Sequence, residues 1–85
     1  MVVARQRPYP RITRNPRIHG GEPVVRGTRV PVRAIVIAWR EYQDTRILLE
    51  AYPRLTEDDV KEALAYYEAH RDELDQRIRA QLAGD

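Results

Sequence analysis

The chain has 85 residues, 42% of them hydrophobic, and lacks cysteine, serine and phenylalanine. This composition fits one small domain and argues against a two-lobed catalytic cleft, a disulfide framework, a thiolate metal site and a serine nucleophile. The net charge of +2 conceals a division: residues 1–33 carry eight arginines against Glu22 alone, a net of +7, whereas residues 34–85 carry six arginines and Lys61 against twelve carboxylates, a net of −5.

Residues 1–10, with Pro8 and Pro10 among arginines, read as a flexible basic arm. Residues 11–31 hold most of the prolines and glycines and form a β-ribbon and turn segment. Arg11-Ile12-Thr13 and Val24-Val25-Arg26 are its β-prone runs, and Gly27-Thr28 supplies a tight reversal. Residues 32–85 read as a helical helix-turn-helix domain. Its first helix follows Pro31, buries Val32, Ile35, Val36 and Trp39, and ends near Glu41 or Tyr42. Asp44 caps a short second helix carrying Ile47, Leu48 and Ala51, which Pro53 ends. Thr56 with Asp59 then resembles a capping box for a third helix, whose first-turn acids suit the helix dipole.

That third helix is expected to be long and unbroken, with Val60, Leu64, Tyr67, Leu74, Ile78 and Leu82 on one stripe and Arg71 interrupting it. Beyond about His70 it outruns the cover that two short helices and a ribbon provide. Leu74, Ile78 and Leu82, with Arg71 beside them, are therefore expected to bind a partner, either a second copy of the chain or another protein. The fold class expected is mainly α: a short N-terminal β-hairpin or ribbon, then a three-helix homeodomain-like (helix-turn-helix) bundle with a long C-terminal helix.

Catalytic chemistry is not apparent in these residues. His19 and His70 stand apart with no metal-ligand spacing, and Glu57, Asp58, Asp59 and Glu62 lie where acids serve helix capping. His19-Gly20-Gly21 lacks the lysine and the strand-to-helix setting of a phosphate-binding loop and reads as a turn. No enzyme, cofactor or metal site is expected. No apolar run approaches the ~20 residues of a membrane span and no signal-peptide core is visible, so a cytoplasmic protein is expected.

The basic first third is one pattern of a nucleic-acid binder, because cationic side chains displace counterions condensed on phosphate. Arg5, Arg7, Arg11, Arg14, Arg26, Arg29, Arg54 and Lys61 are the candidate DNA contacts. Arg26 and Arg29 stay open between this role and pairing with the acidic helix starts. In a helix-turn-helix the third helix would read bases in the major groove, but Glu57, Asp58, Asp59 and Glu62 would repel phosphates there.

The stretch Gly21-Glu22-Pro23-Val24-Val25-Arg26-Gly27-Thr28-Arg29-Val30-Pro31-Val32, followed by Tyr52-Pro53-Arg54-Leu55-Thr56-Glu57-Asp58-Asp59-Val60 and Ala63-Leu64-Ala65-Tyr66, resembles the bacterial family called domain of unknown function 433. The resemblance covers roughly residues 11–68. It implies a homeodomain-like helical fold after a short β segment, and a VapB-like type II antitoxin that dimerises, neutralises a PIN-like ribonuclease toxin and represses its own operon. Relatives usually carry Gly after the first helix, ahead of a Ser N-cap, where this chain has Tyr42, Gln43 and Asp44. A left-handed Tyr42 would cost about 1 kcal/mol relative to Gly. The implied partners are a cognate nuclease toxin, double-stranded operator DNA and a second copy of the chain, with Arg71, Arg77 or Arg79 able to enter a nuclease site. The alternative is a protein-interaction module that sequesters a partner without binding DNA.

Overall fold

A computed structural model describes residues 8–83. Strand β1 (Ile12–Arg14) pairs antiparallel with β2 (Pro23–Val25), placing Ile12 opposite Val25 and Arg14 opposite Pro23. Pro23 opens its strand, where a missing N–H is tolerated. The chain then reverses at Val25–Thr28, closed by the Thr28 N–H to Val25 O bond of 3.0 Å, with Gly27 at φ 77 in the third position as a type II turn requires. Thr28 Oγ1 donates to Val25 O and accepts from the Val30 N–H, which locks the turn from within.

Helix α1 (Val32–Tyr42) is the hub of the core, in contact with β2 and three other helices: α2 (Thr45–Ala51), α3 (Glu57–Ala69) and α4 (Arg71–Ala83). Its apolar stripe, Val32, Ile35 and Val36, is at most 1% exposed, as are Leu48 of α2 and Val60 of α3. Full burial of each such side chain is worth about 1.5–3 kcal/mol. Trp39, expected in that stripe, is only partly buried. The helix starts follow the sequence closely. Asp44 accepts from the N–H groups of Arg46 and Ile47. Thr56 Oγ1 accepts from Asp59 N at 3.1 Å while Asp59 Oδ2 accepts from Thr56 N at 2.9 Å, a complete capping box.

The left-handed residue after α1 is Gln43 (φ 50), whose N–H reaches Trp39 O at 2.8 Å, so Tyr42 ends the helix without adopting the costly conformation. Two expectations need correction. The long C-terminal helix is two helices, so the described residues hold four α-helices where three were expected. The break falls at His70 (φ −131, ψ 38), whose N–H is shared between the carbonyls of Tyr66 and Tyr67, whose Nδ1 lies 3.1 Å from Tyr66 O, and whose ring stacks on Tyr66 at 4.1 Å. A straight continuation would drive Arg71 along the buried stripe. The break instead leaves Arg71 exposed beside Glu68, 3.2 Å away, and turns α4 back over α1. Leu74 and Ile78, expected to await a partner, are therefore 0% and 1% exposed inside this chain, and only Leu82 of that trio remains open, at 66%.

Arginine side chains cross-link these elements. Arg33 of α1 grips the buried carboxylate of Glu22 in bidentate fashion, at 2.7 and 3.0 Å, and also donates to Gln81 of α4. Arg40 donates to Tyr67 Oη at 2.7 Å and to Asp75 at 2.9 Å, and Tyr67 donates to the same Asp75 oxygen at 2.6 Å. Hydrogen bonds from Arg33 hold the Glu22 carboxyl below the usual carboxylate range, against the opposing effect of its burial.

Three outcomes follow from this packing. Gln43→Gly relieves a left-handed non-glycine residue and raises unfolding stability by up to about 1 kcal/mol in urea titrations. Leu74→Ala lowers stability by about 2–5 kcal/mol at every protein concentration, whereas an intermolecular role for Leu74 would make the loss depend on concentration. Because the folded chain holds Glu22 at a depressed pKa, it binds fewer protons than the unfolded chain. Its contribution is complete above the ordinary value of about 4.3 and is lost as pH falls through the lower folded value, so Glu22→Gln flattens the acid limb of thermal stability measured from about pH 6 to 3.

Candidate nucleic-acid interface

Among the described residues, the arginines other than Arg71 and Arg77, which pair with acids three or four residues away, fall into two groups according to what they touch. Arg11, at the entry to β1, lies 3.2 Å from Asp59 and 3.7 Å from both Asp58 and Glu62, and its backbone N–H donates to Glu62. Arg14 donates to Tyr66 Oη at 2.9 Å and bonds both oxygens of Glu73. Its pKa is raised above the ordinary arginine value, first by the bond to Tyr66. Arg33 and Arg40 are engaged as described above. These four guanidiniums hold the acidic helices to the rest of the fold. Among the described residues, Arg17, Arg26, Arg29, Arg46, Arg54 and Arg79 make no salt bridge and are exposed.

Arg29 and Arg54 of this second group come together across an open groove of about 840 Å³ between the turn after β2, the 15–19 loop and the segment joining α2 to α3. Arg14 also lines it, through a side chain already committed to Glu73. The floor is apolar, with Ile18, Val24, Val30, Pro31 and Ala34, and Tyr52 provides an aromatic wall. Among the described residues, no carboxylate lines the groove. The turn carrying Arg29 is fixed by His19 Nε2, 3.0 Å from Arg29 O, and by the Val25 N–H to Val30 O bond of 2.9 Å. In the adjoining loop Asn15 Oδ1 accepts from Arg17 N at 2.9 Å. An electropositive concavity with an apolar base and no opposing acid is suited to an amphipathic anion.

The other expected contacts lie elsewhere. Arg26 sits on the far side of its turn, beside Arg11 and Asp59. Lys61 pairs with Glu57 at 3.3 Å on the outer face of α3, next to Asp58 and Glu62, and belongs to an acidic surface. That face shows Glu57, Asp58 and Glu68 to solvent, so α3 presents few groups able to approach phosphate. Arg5 and Arg7 lie outside the described residues. Tyr52, Asn15 and His19 are the groove residues that the sequence did not single out as contacts. The one local signal was for Tyr52, an aromatic residue held out of helix by the following Pro53. Of the expected partner-binding residues, Arg71 stands 5.3 Å from the centre of the Tyr67 ring and Leu82 is exposed, whereas Leu74 and Ile78 are core. No described helix is long and apolar enough to cross a membrane, and the described residues contain no cluster of three or more potential metal ligands.

Comparison with known proteins places this geometry. A crystal structure of a DUF433 member protein from Anabaena variabilis ATCC 29413 superposes with a TM-score of 0.76 at 33% identity, covering 81% of this chain and 68% of that one. An uncharacterized protein, y4eO, of Sinorhizobium fredii (strain NBRC 101917 / NGR234) is 41% identical over 59 residues, which is 69% of this chain but 27% of that protein, so the chain matches about a quarter of its curated relative. The family model described as "Protein of unknown function (DUF433)" matches residues 12–67. With its paired strands, its first two helices and all but the end of the third inside that match, the chain belongs to the DUF433 family.

Proposed function

We propose that this protein is a DNA-binding antitoxin and autorepressor, without catalytic activity, that meets nucleic acid with the Arg29–Arg54 face and not with α3. The observation that carries the DNA half is the division of the arginines: Arg11, Arg14, Arg33 and Arg40 are bound to carboxylates, whereas Arg29 and Arg54 pair with no described carboxylate and line a groove to which the described residues contribute no acid. Phosphates release counterions to such groups without first breaking an internal ion pair. Arg17, in the adjoining loop, extends the same charge. In this reading α2 and α3 act as a helix-turn-helix-like pair whose joining segment presents Arg54 while α3 itself stays clear of the bases.

The antitoxin half rests on the motif resemblance that runs from Gly21 to Tyr66. With Leu74 and Ile78 in the core, a PIN-like ribonuclease toxin would meet Leu82 and the outer arginines of α4, Arg71, Arg77 and Arg79. A homodimer would be formed through surfaces other than the Leu74–Ile78 stripe, which α1 already covers. Association in the cytoplasm with the operator next to its own gene completes the reading.

The test is fluorescence anisotropy with duplex DNA from upstream of the gene, against a scrambled duplex, at about 50 and 200 mM salt. Sequence-selective binding that collapses at the higher salt is expected. Arg29→Gln with Arg54→Gln is expected to weaken it about tenfold or more and to reduce the salt slope by about 2, while Lys61→Gln leaves both nearly unchanged. Absence of binding at low salt would leave a module that sequesters a protein partner without DNA.

A further inference from the structure

We infer that the groove receives an unpaired nucleotide of a single strand, its base against Tyr52 and the apolar floor and its phosphate on Arg29 and Arg54. The inference rests on the nucleic-acid reading of the same face and adds what that face selects. A stacked duplex offers phosphates to the rim, but its bases are turned inward and cannot fill an apolar concavity of about 840 Å³. An unstacked base can. Sequence-tolerant single-strand sites combine a basic track with an aromatic surface on which a base lies, and both are present here within one lining. The space falls in the range of roughly 300–1,000 Å³ typical of small-ligand sites, enough for more than one nucleoside.

The polar groups are disposed to match. Asn15 uses its carbonyl oxygen on the Arg17 N–H, leaving its amide N–H groups for the edge of a base. Thr28 is occupied within its own turn, so the hydroxyl is not a reader. His19 is occupied by the carbonyl of Arg29, which fixes the arginine-bearing segment before any ligand arrives and limits the ordering cost of binding. Charge complementarity selects an anion, because Arg29 and Arg54, neither in a salt bridge among the described residues, line the groove and no described carboxylate does. The apolar floor selects an anion with a flat, poorly hydrated part.

The full chain is titrated against three probes: a labelled oligothymidine of about ten residues, a mixed-sequence duplex of the same length, and thymidine monophosphate as competitor. Oligothymidine is expected to bind; Tyr52→Leu weakens it about tenfold and Tyr52→Phe by less than about twofold, since the ring and not the hydroxyl is used. Arg29→Gln with Arg54→Gln weakens both probes. Duplex binding that persists while oligothymidine fails to bind, or while Tyr52→Leu changes nothing, overturns this inference and leaves the DNA-binding reading standing. Failure of every probe overturns both. Thymidine monophosphate that displaces the strand at equal concentration overturns the single-strand assignment in favour of a free nucleotide. Should Tyr52→Leu fail to fold, as judged by circular dichroism, competition on the unaltered chain decides: a duplex that displaces oligothymidine at equal concentration overturns the inference.

Discussion

The bidentate bond of Arg33 to Glu22 joins β2 to α1 and, through Gln81, to α4, and it does so where the carboxylate has almost no access to water. Removing a carboxylate from water costs several kcal/mol unless a counter-charge meets both of its oxygens. The planar guanidinium does this with two parallel N–H donors, which an ammonium cannot. The pair, with buried Ile12, Val24 and Val25, holds the ribbon against the helices and with it the turn that carries Arg29. The bridges of Arg11, Arg14 and Arg40 are about half exposed, at 44–49%, and each contributes far less, so they trim the fold and do not determine it.

A surface results on which charge has been sorted. The acidic fronts of α3 and α4 are partly neutralised from within by β1, which reduces their repulsion of a polyanion without making them attractive. The groove keeps the positive charge of Arg29 and Arg54, which form no salt bridge among the described residues, while Glu73 neutralises Arg14 of the same lining. The net charge of +2 gives no hint of this. Long-range attraction depends on where unpaired charge is exposed, and the groove concentrates it.

The sequence made the local elements legible because their signals are local. Asp44 and the Thr56–Asp59 pair are capping chemistry complete within four residues, and Pro53 ends α2 by sterics alone. The break at His70 has no such signal: no glycine or proline lies between Val60 and Leu82, and Arg71 on the apolar stripe was the only trace of it. Its cause is tertiary, the gain from covering α1 with Leu74 and Ile78. The left-handed position falls on Gln43, because α1 runs through Tyr42 before capping. In the groove, Arg29 and Arg54 could be named from charge. Asn15, His19 and Tyr52 could not, since they are brought together only when β2 and α1 pack and the 52–56 segment closes alongside.

Every cation in the described residues that bridges two separate elements is an arginine, and the chain's sole lysine, Lys61, is paired only within its own helix. Arginine stays protonated under all physiological conditions and is not a substrate for acylation at an amine. The architecture is therefore indifferent to lysine acetylation. Such a modification at Lys61 would remove one contact to Glu57 and make the outer face of α3 more acidic, with no cross-link of the fold disturbed.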